Sequence, residues 1–180
     1  MGDILVPLAA GFEEIEAVTI IDILRRADIP VIVAGVETKS VTGAHGISVD
    51  CDKLLKEVEL NKLEGIVLPG GMPGAKNLMK SILLRDIIIS LDRQQHLVAA
   101  ICAAPTVLEA AGVLKGKKAT SYPDYEKEFK SSDYSTEPVV EDGNVVTSRG
   151  VGTALAFALF LVKRLCGAAK YEQLKKAVLA

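Results

Sequence analysis

The sequence predicts an α/β sandwich, a mostly parallel central sheet with helices on both faces. Two observations carry this expectation. Short, continuously apolar, β-branched runs alternate with helix-length amphipathic stretches, and strands without polar alternation are those buried on both faces. Hydrophobic residues make up 49% of the 180 and charged residues 24%, which supports a real core and argues against disorder. The length suits one domain, and no repeat, low-complexity tract or Pro/Gly/Ser-rich linker divides the chain, so residues 1–180 read as a single domain.

Taken in order, Asp3–Leu8 is an apolar strand, and Ile20, Ile23 and Leu24 recur at helical spacing within a helix from about Glu13 to Ala27. Pro30–Ala34 is the second strand, and Lys39–Val49 holds short strands around the turn Gly43-Ala44-His45-Gly46. Gly65–Pro69 is a third buried strand, ending at Gly70-Gly71. A helix over Ser81–Gln95 leads to the strand His96–Ile101, closed by Cys102 and followed by a helix over Pro105–Ala111 that Gly112 stops. Lys118–Ser121 is another short strand. Val139–Val140 and Val145–Val146 flank Glu141-Asp142-Gly143-Asn144, a hairpin signal because Asp-Gly supports positive φ. Helices over about Thr153–Leu165 and Ala169–Leu179 finish the chain. The expected architecture is flavodoxin-like or Rossmann-like, with ligands beyond the carboxyl ends of the strands at the topological switch point. The loops after Leu8 and Leu68 and the turn at Cys102 should therefore converge.

Charge and composition exclude several functions. Lys and Arg total 21 against 23 Asp and Glu, without the basic surface a nucleic-acid binder needs. Aromatic residues are only 4%, with no Trp, leaving little for base stacking. The N-terminal stretch lacks a basic leader, and the longest apolar run, Ala154 to Val162, is too short to span a bilayer. Cys51, Cys102 and Cys166 cannot all pair within the chain, and no CxxC occurs, which favours a reduced, cytoplasmic setting. His45 and His96 stand apart from any cysteine cluster, so no metal-ligand spacing and no cofactor is expected.

The most informative stretch is HLVAAICAAPTVLEAAG, in which a hydrophobic strand runs into one cysteine and a helix begins almost at once. This order resembles a nucleophile elbow, with small alanines around a sharp turn. It would hold the Cys102 sulfur outside the sheet and aim the following helix's free N–H groups at it, favouring thiolate and lowering the thiol pKa. The alternative is an inert buried thiol. Gly70 and Gly71, in LPGGMPG, allow close backbone approach and could present N–H donors to an oxyanion; otherwise they form a plain turn. Glu13 and Glu14 suit a helix start. Glu16, flanked by Ile15, Ala17 and Val18, is either a solvated helix residue or a buried acid whose raised pKa keeps it protonated beside the sulfur, as general acid/base.

Four stretches together, FEEIEAVTIIDILRRA, LPGGMPGAKNL, AAICAAPTVL and VTSRGVGTALAFAL, resemble the ThiJ/PfpI superfamily in its parkinsonism-associated deglycase branch, over nearly the whole chain and in the same order. The resemblance implies a homodimer with Cys102 as reactive cysteine, Glu16 as its buried hydrogen-bond partner, and the backbone N–H groups of Gly71 and Ala103 facing the site. Arg26 aligns with a helix arginine near the dimer contact and site entrance. Departures are visible: Tyr122-Pro123 stands where the human protein has His-Pro, removing an imidazole, and a phenol is a poor base near neutral pH. His45 is either a turn residue or a pocket residue from a neighbouring loop. Val151 replaces a proline, and Ala103 follows Cys102 where the protease-like branch has histidine, disfavouring peptidase activity.

Two functional readings follow. One is a glutathione-independent enzyme of glyoxalase III or deglycase type that attacks small dicarbonyls with Cys102. The other is a non-enzymatic oxidative-stress sensor or redox-dependent chaperone, in which Cys102 is oxidised and a protonated Glu16 donates to the product. Cys51, between Asp50 and Asp52, is expected to form thiolate less readily than Cys102.

Overall fold

The computed structural model describes residues 2–180. In chain order the elements are β1 (Asp3–Leu8), α1 (Glu14–Arg26), β2 (Val31–Gly35), β3 (Ser40–Thr42), β4 (Ser48–Asp50), β5 (Lys53–Leu54), β6 (Leu63–Leu68), α2 (Gly74–Lys80), α3 (Ile82–Arg93), β7 (Leu97–Ile101), α4 (Pro105–Ala110), β8 (Lys118–Ala119), β9 (Asp133–Tyr134), β10 (Val139–Asp142), β11 (Val145–Ser148), α5 (Ala154–Cys166) and α6 (Ala168–Ala177). The central sheet has seven strands in the order β10-β11-β7-β6-β1-β2-β5. Every pairing in it is parallel except β10 with β11, the hairpin that turns at Gly143 with φ 62°.

Strand periodicity divides the core in two. Ile4, Val6, Leu8, Val67, Ala99 and Ile101 face one side, where they meet Ile20 and Leu24 of α1, Phe157 and Leu161 of α5, and Leu174 of α6. Leu5, Ile66, Leu68, Val98 and Ala100 face the other and meet Leu78 of α2, Ile88 and Leu91 of α3, and Leu108 of α4. Apolar side chains on both faces of each inner strand are what the uninterrupted hydrophobic runs imply. The expected α/β sandwich is the observed one.

The differences are small and local. α2, β5 and β9 are not signalled by periodicity; α2 begins at Gly74, and the other two are two-residue strands. β3 and β4 form a separate antiparallel ribbon around the turn at residues 43–46, and β8 pairs with β9 in a second small sheet beside β10. Among the described residues, no helix is long and apolar enough to cross a membrane.

The order places β6 and β1 side by side at the centre, with β7 and β11 leading off on one side and β2 on the other. The chain direction thus switches between β1 and β6, opening a crevice at their carboxyl ends. Residues 9–13 leave β1 there, residues 69–73 leave β6, and Cys102 leaves β7.

Candidate active site

Cys102 directly follows the last residue of β7 and has a φ of 64°. A left-handed backbone at a non-glycine residue stores of order 1–3 kcal/mol of strain. The surroundings hold it there: the Cys102 N–H donates to Ser148 O at 3.0 Å, and the Tyr122 N–H donates to Cys102 O at 2.9 Å. The side chain is partly exposed rather than sealed in the core. The strand–cysteine–turn order in the sequence therefore makes the sharp elbow expected of it.

Glu16 reaches this elbow from α1. It precedes Ile20 by four positions and so lies on the helix's buried stripe with Ile20, Ile23 and Leu24. Its side chain is fully buried, and Oε2 accepts a hydrogen bond from the Gly70 N–H at 2.8 Å. Oε1 has no hydrogen-bond partner of good geometry, and the carboxyl as a whole acts on the Cys102 thiol. Burial pushes the Glu16 carboxyl up to about 7; the bonds from Gly70 and Cys102 pull against this and the Glu13 charge adds to it.

The two glycines have separate duties. A Cβ on Gly70 would lie 2.6 Å from Cys102 Cβ and 2.9 Å from Glu16 Oε2, so only glycine fits between acid and thiol. Its N–H, expected to serve an oxyanion, is spent on Glu16. Gly71 has φ 89°, and a Cβ there would strike Glu13 N and Phe12 C. The backbone N–H groups of Gly71 and Ala103 are the donors that face the Cys102 sulfur. They can equally serve an oxyanion formed beside it.

One expectation needs correcting. Those two donors lower the thiol pKa, but burial dominates, followed by the Glu16 charge and its hydrogen bond, and together these push Cys102 up to about 12. Cys51 is likewise pushed up, to about 11, by burial and by Asp52 and Asp50. Cys102 is thus no freer to ionise than Cys51, contrary to the sequence expectation. The helix after Cys102 is only Pro105–Ala110, so its dipole adds little against desolvation. What sets Cys102 apart is a buried carboxyl, that of Glu16, hydrogen-bonded to its thiol.

Residues 3–164 match the DJ-1/PfpI family. The chain belongs to that family. It is 41% identical over 178 residues to Drosophila melanogaster protein dj-1beta, covering 97% of this chain and 95% of the relative. The crystal structure of that fly protein superposes with a TM-score of 0.96 at 40% identity, covering 99% of this chain and 98% of the other. The structure of oxidized Toxoplasma gondii DJ-1 gives the same TM-score at 39% identity, with the same coverage. A Caenorhabditis elegans relative named glutathione-independent glyoxalase DJR-1.2 is 34% identical over 165 residues, 91% of this chain and 88% of the relative. These likenesses place the chain in the DJ-1 branch.

The remaining candidate residues of this DJ-1/PfpI chain divide into those at the sulfur and those apart from it. Tyr122 is at the site: a Cβ placed on Gly150 would lie 3.4 Å from Tyr122 Cδ2 and 3.9 Å from Cys102 Sγ. Arg26 is not at the site within one copy of the chain. It lies ten residues beyond Glu16 on α1, about 15 Å along the axis, and its Nε bonds Asp22 at 2.6 Å. His45 is not there either, since Glu14 at 2.9 Å and Glu13 at 3.6 Å engage its Nδ1.

That pairing corrects the expectation for Glu14, which is more than an ornament of a helix start. It is buried, and it accepts hydrogen bonds from the His45 and Ile47 N–H groups at 2.7 and 3.3 Å, seating the β3–β4 turn on α1. Burial raises its pKa, but the imidazole and backbone bonds outweigh that and hold it near about 2. Glu13, Glu14 and His45 bring three possible ligand atoms within 4.8 Å of one another, a grouping that chain spacing did not reveal. Hydrogen bonding within the turn accounts for it. Sequence reasoning also missed Gly150 and Tyr125. Burial and the Cys102 charge both raise the Tyr125 phenol pKa, and its ring meets Tyr122 edge-on, centroids 6.4 Å apart.

Proposed function

We propose that the chain is a cysteine-dependent, glutathione-independent enzyme of glyoxalase III or deglycase type that detoxifies reactive dicarbonyls. The observation that carries this reading is a buried acid, its pKa near neutrality, set against a partly exposed thiol on a strained turn. A general base works best when its pKa lies near the operating pH. The worm relative named a glutathione-independent glyoxalase supports the same reading.

The chemistry follows from the order in which the pair gives up protons. Cys102 keeps its proton near neutral pH, where Glu16 is shared between its acid and carboxylate forms, and the carboxylate form can accept the thiol proton. As the sulfur adds to the aldehyde carbon of methylglyoxal, an S–C bond forms, the C=O π pair moves to oxygen, and the thiol proton passes to Glu16. The Gly71 and Ala103 N–H groups stabilise the oxyanion until Glu16 returns the proton, giving a hemithioacetal. Glu16 then carries the C1 proton to C2 through an enediol, which yields a thioester of lactate. Water hydrolyses it and restores the thiol. The net change is addition of one water, with no external oxidant or reductant.

Incubation of the purified protein with methylglyoxal tests the reading. Lactate should appear with wild type and fall to background with Cys102→Ser; equal lactate from both would overturn it. A redox-sensing or chaperone role is the second reading, favoured by the exposure of Cys102 relative to buried Cys51. Mild peroxide should add two oxygens at Cys102 selectively, and uniform oxidation of all three cysteines would count against it. We further propose that the protein works as a cytoplasmic homodimer through the exposed apolar residues Ile15, Val18 and Leu155 of α1 and α5. Sedimentation of Val18→Asp against wild type checks the association.

A further inference from the structure

Gly150 follows β11 and faces the Cys102 sulfur, yet nothing in the backbone demands a glycine there. Its φ of 162° and ψ of −167° are extended values open to any residue. Crowding does not demand one either, in contrast to Gly70 and Gly71. A Cβ on Gly150 would make ordinary van der Waals contact with Tyr122 Cδ2 at 3.4 Å and lie 3.9 Å from Cys102 Sγ. Glycine therefore leaves a methyl-sized opening bounded by the sulfur, one tyrosine ring and a stretch of backbone.

Hydrogen bonds hold the backbone on both sides of the opening. Tyr122 is tied by its N–H to Cys102 O, and its ring rests against Tyr125. Gly150 is clamped by Thr153, whose Oγ1 accepts from the Gly150 N–H at 3.1 Å and lies 2.7 Å from Ser148 Oγ. The Ser148 carbonyl in turn anchors the Cys102 N–H. The backbone on both sides of the opening and the nucleophile are thus braced against the same strand end.

We propose that Gly150 and Tyr122 are specificity-determining residues, sizing the substituent on the second carbonyl carbon, next to the aldehyde carbon that Cys102 attacks. Small dicarbonyls bearing hydrogen or methyl fit the opening, and those bearing an aryl or branched group do not. The chemistry rests on the dicarbonyl reading; the geometry does not, because any electrophile approaching Sγ from this side occupies the same space. Substituents of this size change selectivity by about tenfold or more when a pocket wall meets them.

Two assays test the slot. In the first, kcat/KM is measured for glyoxal, methylglyoxal and phenylglyoxal. Gly150→Ala should lower the methylglyoxal value about tenfold while affecting glyoxal less, and Tyr122→Ala should raise phenylglyoxal relative to methylglyoxal about tenfold. The second assay needs no turnover. Cys102 is alkylated with iodoacetamide and with iodoacetanilide, which carries the same reactive group plus a phenyl ring, in a Cys51→Ala/Cys166→Ala background. Tyr122→Ala should favour the bulky reagent, and Gly150→Ala should slow both. If wild type makes no lactate but the alkylation ratios shift as stated, the dicarbonyl reading falls and the slot stands. If the reagent ratio in Tyr122→Ala matches wild type, the slot is overturned whatever Gly150→Ala does.

Discussion

Glu14 and Glu16 stand two positions apart on one helix, both buried, and their environments drive them in opposite directions. Glu14 faces the β3–β4 turn, where two backbone N–H groups and an imidazole converge on it, and its pKa falls to about 2. Glu16 faces the sulfur with one backbone donor, and its pKa climbs to about 7. Burial penalises both charges, but Glu16 lies far deeper in the protein and has fewer donors, and the two differences together set the outcome. The fully supplied carboxylate is a permanent structural anion. The undersupplied one is left able to exchange a proton near neutral pH, as acid–base chemistry requires.

The sharpest way to break this contrast is Glu16→Gln. If Glu16 moves the protons, kcat should fall about 10²–10⁴-fold, read as lactate from methylglyoxal. Simple alkylation should respond differently. Removing the carboxylate removes a charge that holds the thiol up, so Cys102 should alkylate faster at alkaline pH even as turnover collapses. The wild-type alkylation profile should also bend near pH 7, where Glu16 titrates, and the bend should vanish in the variant. A variant that keeps the bend would assign it to another group.

The same carboxyl should be visible in stability. Its folded pKa, about 7, lies above the ordinary 4.5. Between those values the folded state keeps a proton that the unfolded chain has released. The stabilisation is complete below about pH 4.5 and is lost as pH rises through about 7, a change of about 3 kcal/mol. Urea unfolding at several pH values should show that decline in wild type and a flatter curve in Glu16→Gln. Cys102, raised from 9.0 to about 12, contributes only above this window.

Glu14→Gln should give the complementary result. The uncharged amide weakens the bonds that seat the turn, and stability should drop by about 1–2 kcal/mol at neutral pH. The sign with pH is opposite to that of Glu16: a depressed carboxylate contributes above its unfolded pKa and loses the contribution as pH falls towards about 2. The alkylation bend near pH 7 should stay in place, because Glu14 does not act on the sulfur.

The sequence showed the fold more fully than it showed this division of labour. Uninterrupted apolar strands such as LVAAI can only be buried on both faces, so the sandwich follows from local pattern. Cys102 was legible for the same reason, as a polar break between strand and helix. Glu16 was left open by its neighbours Ile15, Ala17 and Val18, and only the family resemblance implied its burial; its four-residue spacing to Ile20 is what carries it inward. The raised thiol pKa was not, because desolvation depends on what packs around the sulfur from β6, β11 and α1 together. Glu14 was misread because its donors, His45 and Ile47, come from a turn more than thirty positions away. Gly150 carried no signal, since its role lies in the space its missing side chain leaves over a residue far away in sequence.

The smallest expected effect belongs to His45→Ala, and it tests whether the turn is held by charge or by the backbone. The Glu14 hydrogen bond, then the charges of Glu13 and Glu14, raise the His45 pKa. The protonated ring's contribution is therefore present at acidic pH and lost as pH rises past the folded value. The ring is exposed to solvent, so most of that attraction is screened. Thermal melting of His45→Ala should show a slight decrease at about pH 6 that shrinks at about pH 8. A large decrease, equal at both pH values, would mean that the imidazole packs the turn in place, and Glu14 would then owe its low pKa to the backbone N–H groups alone.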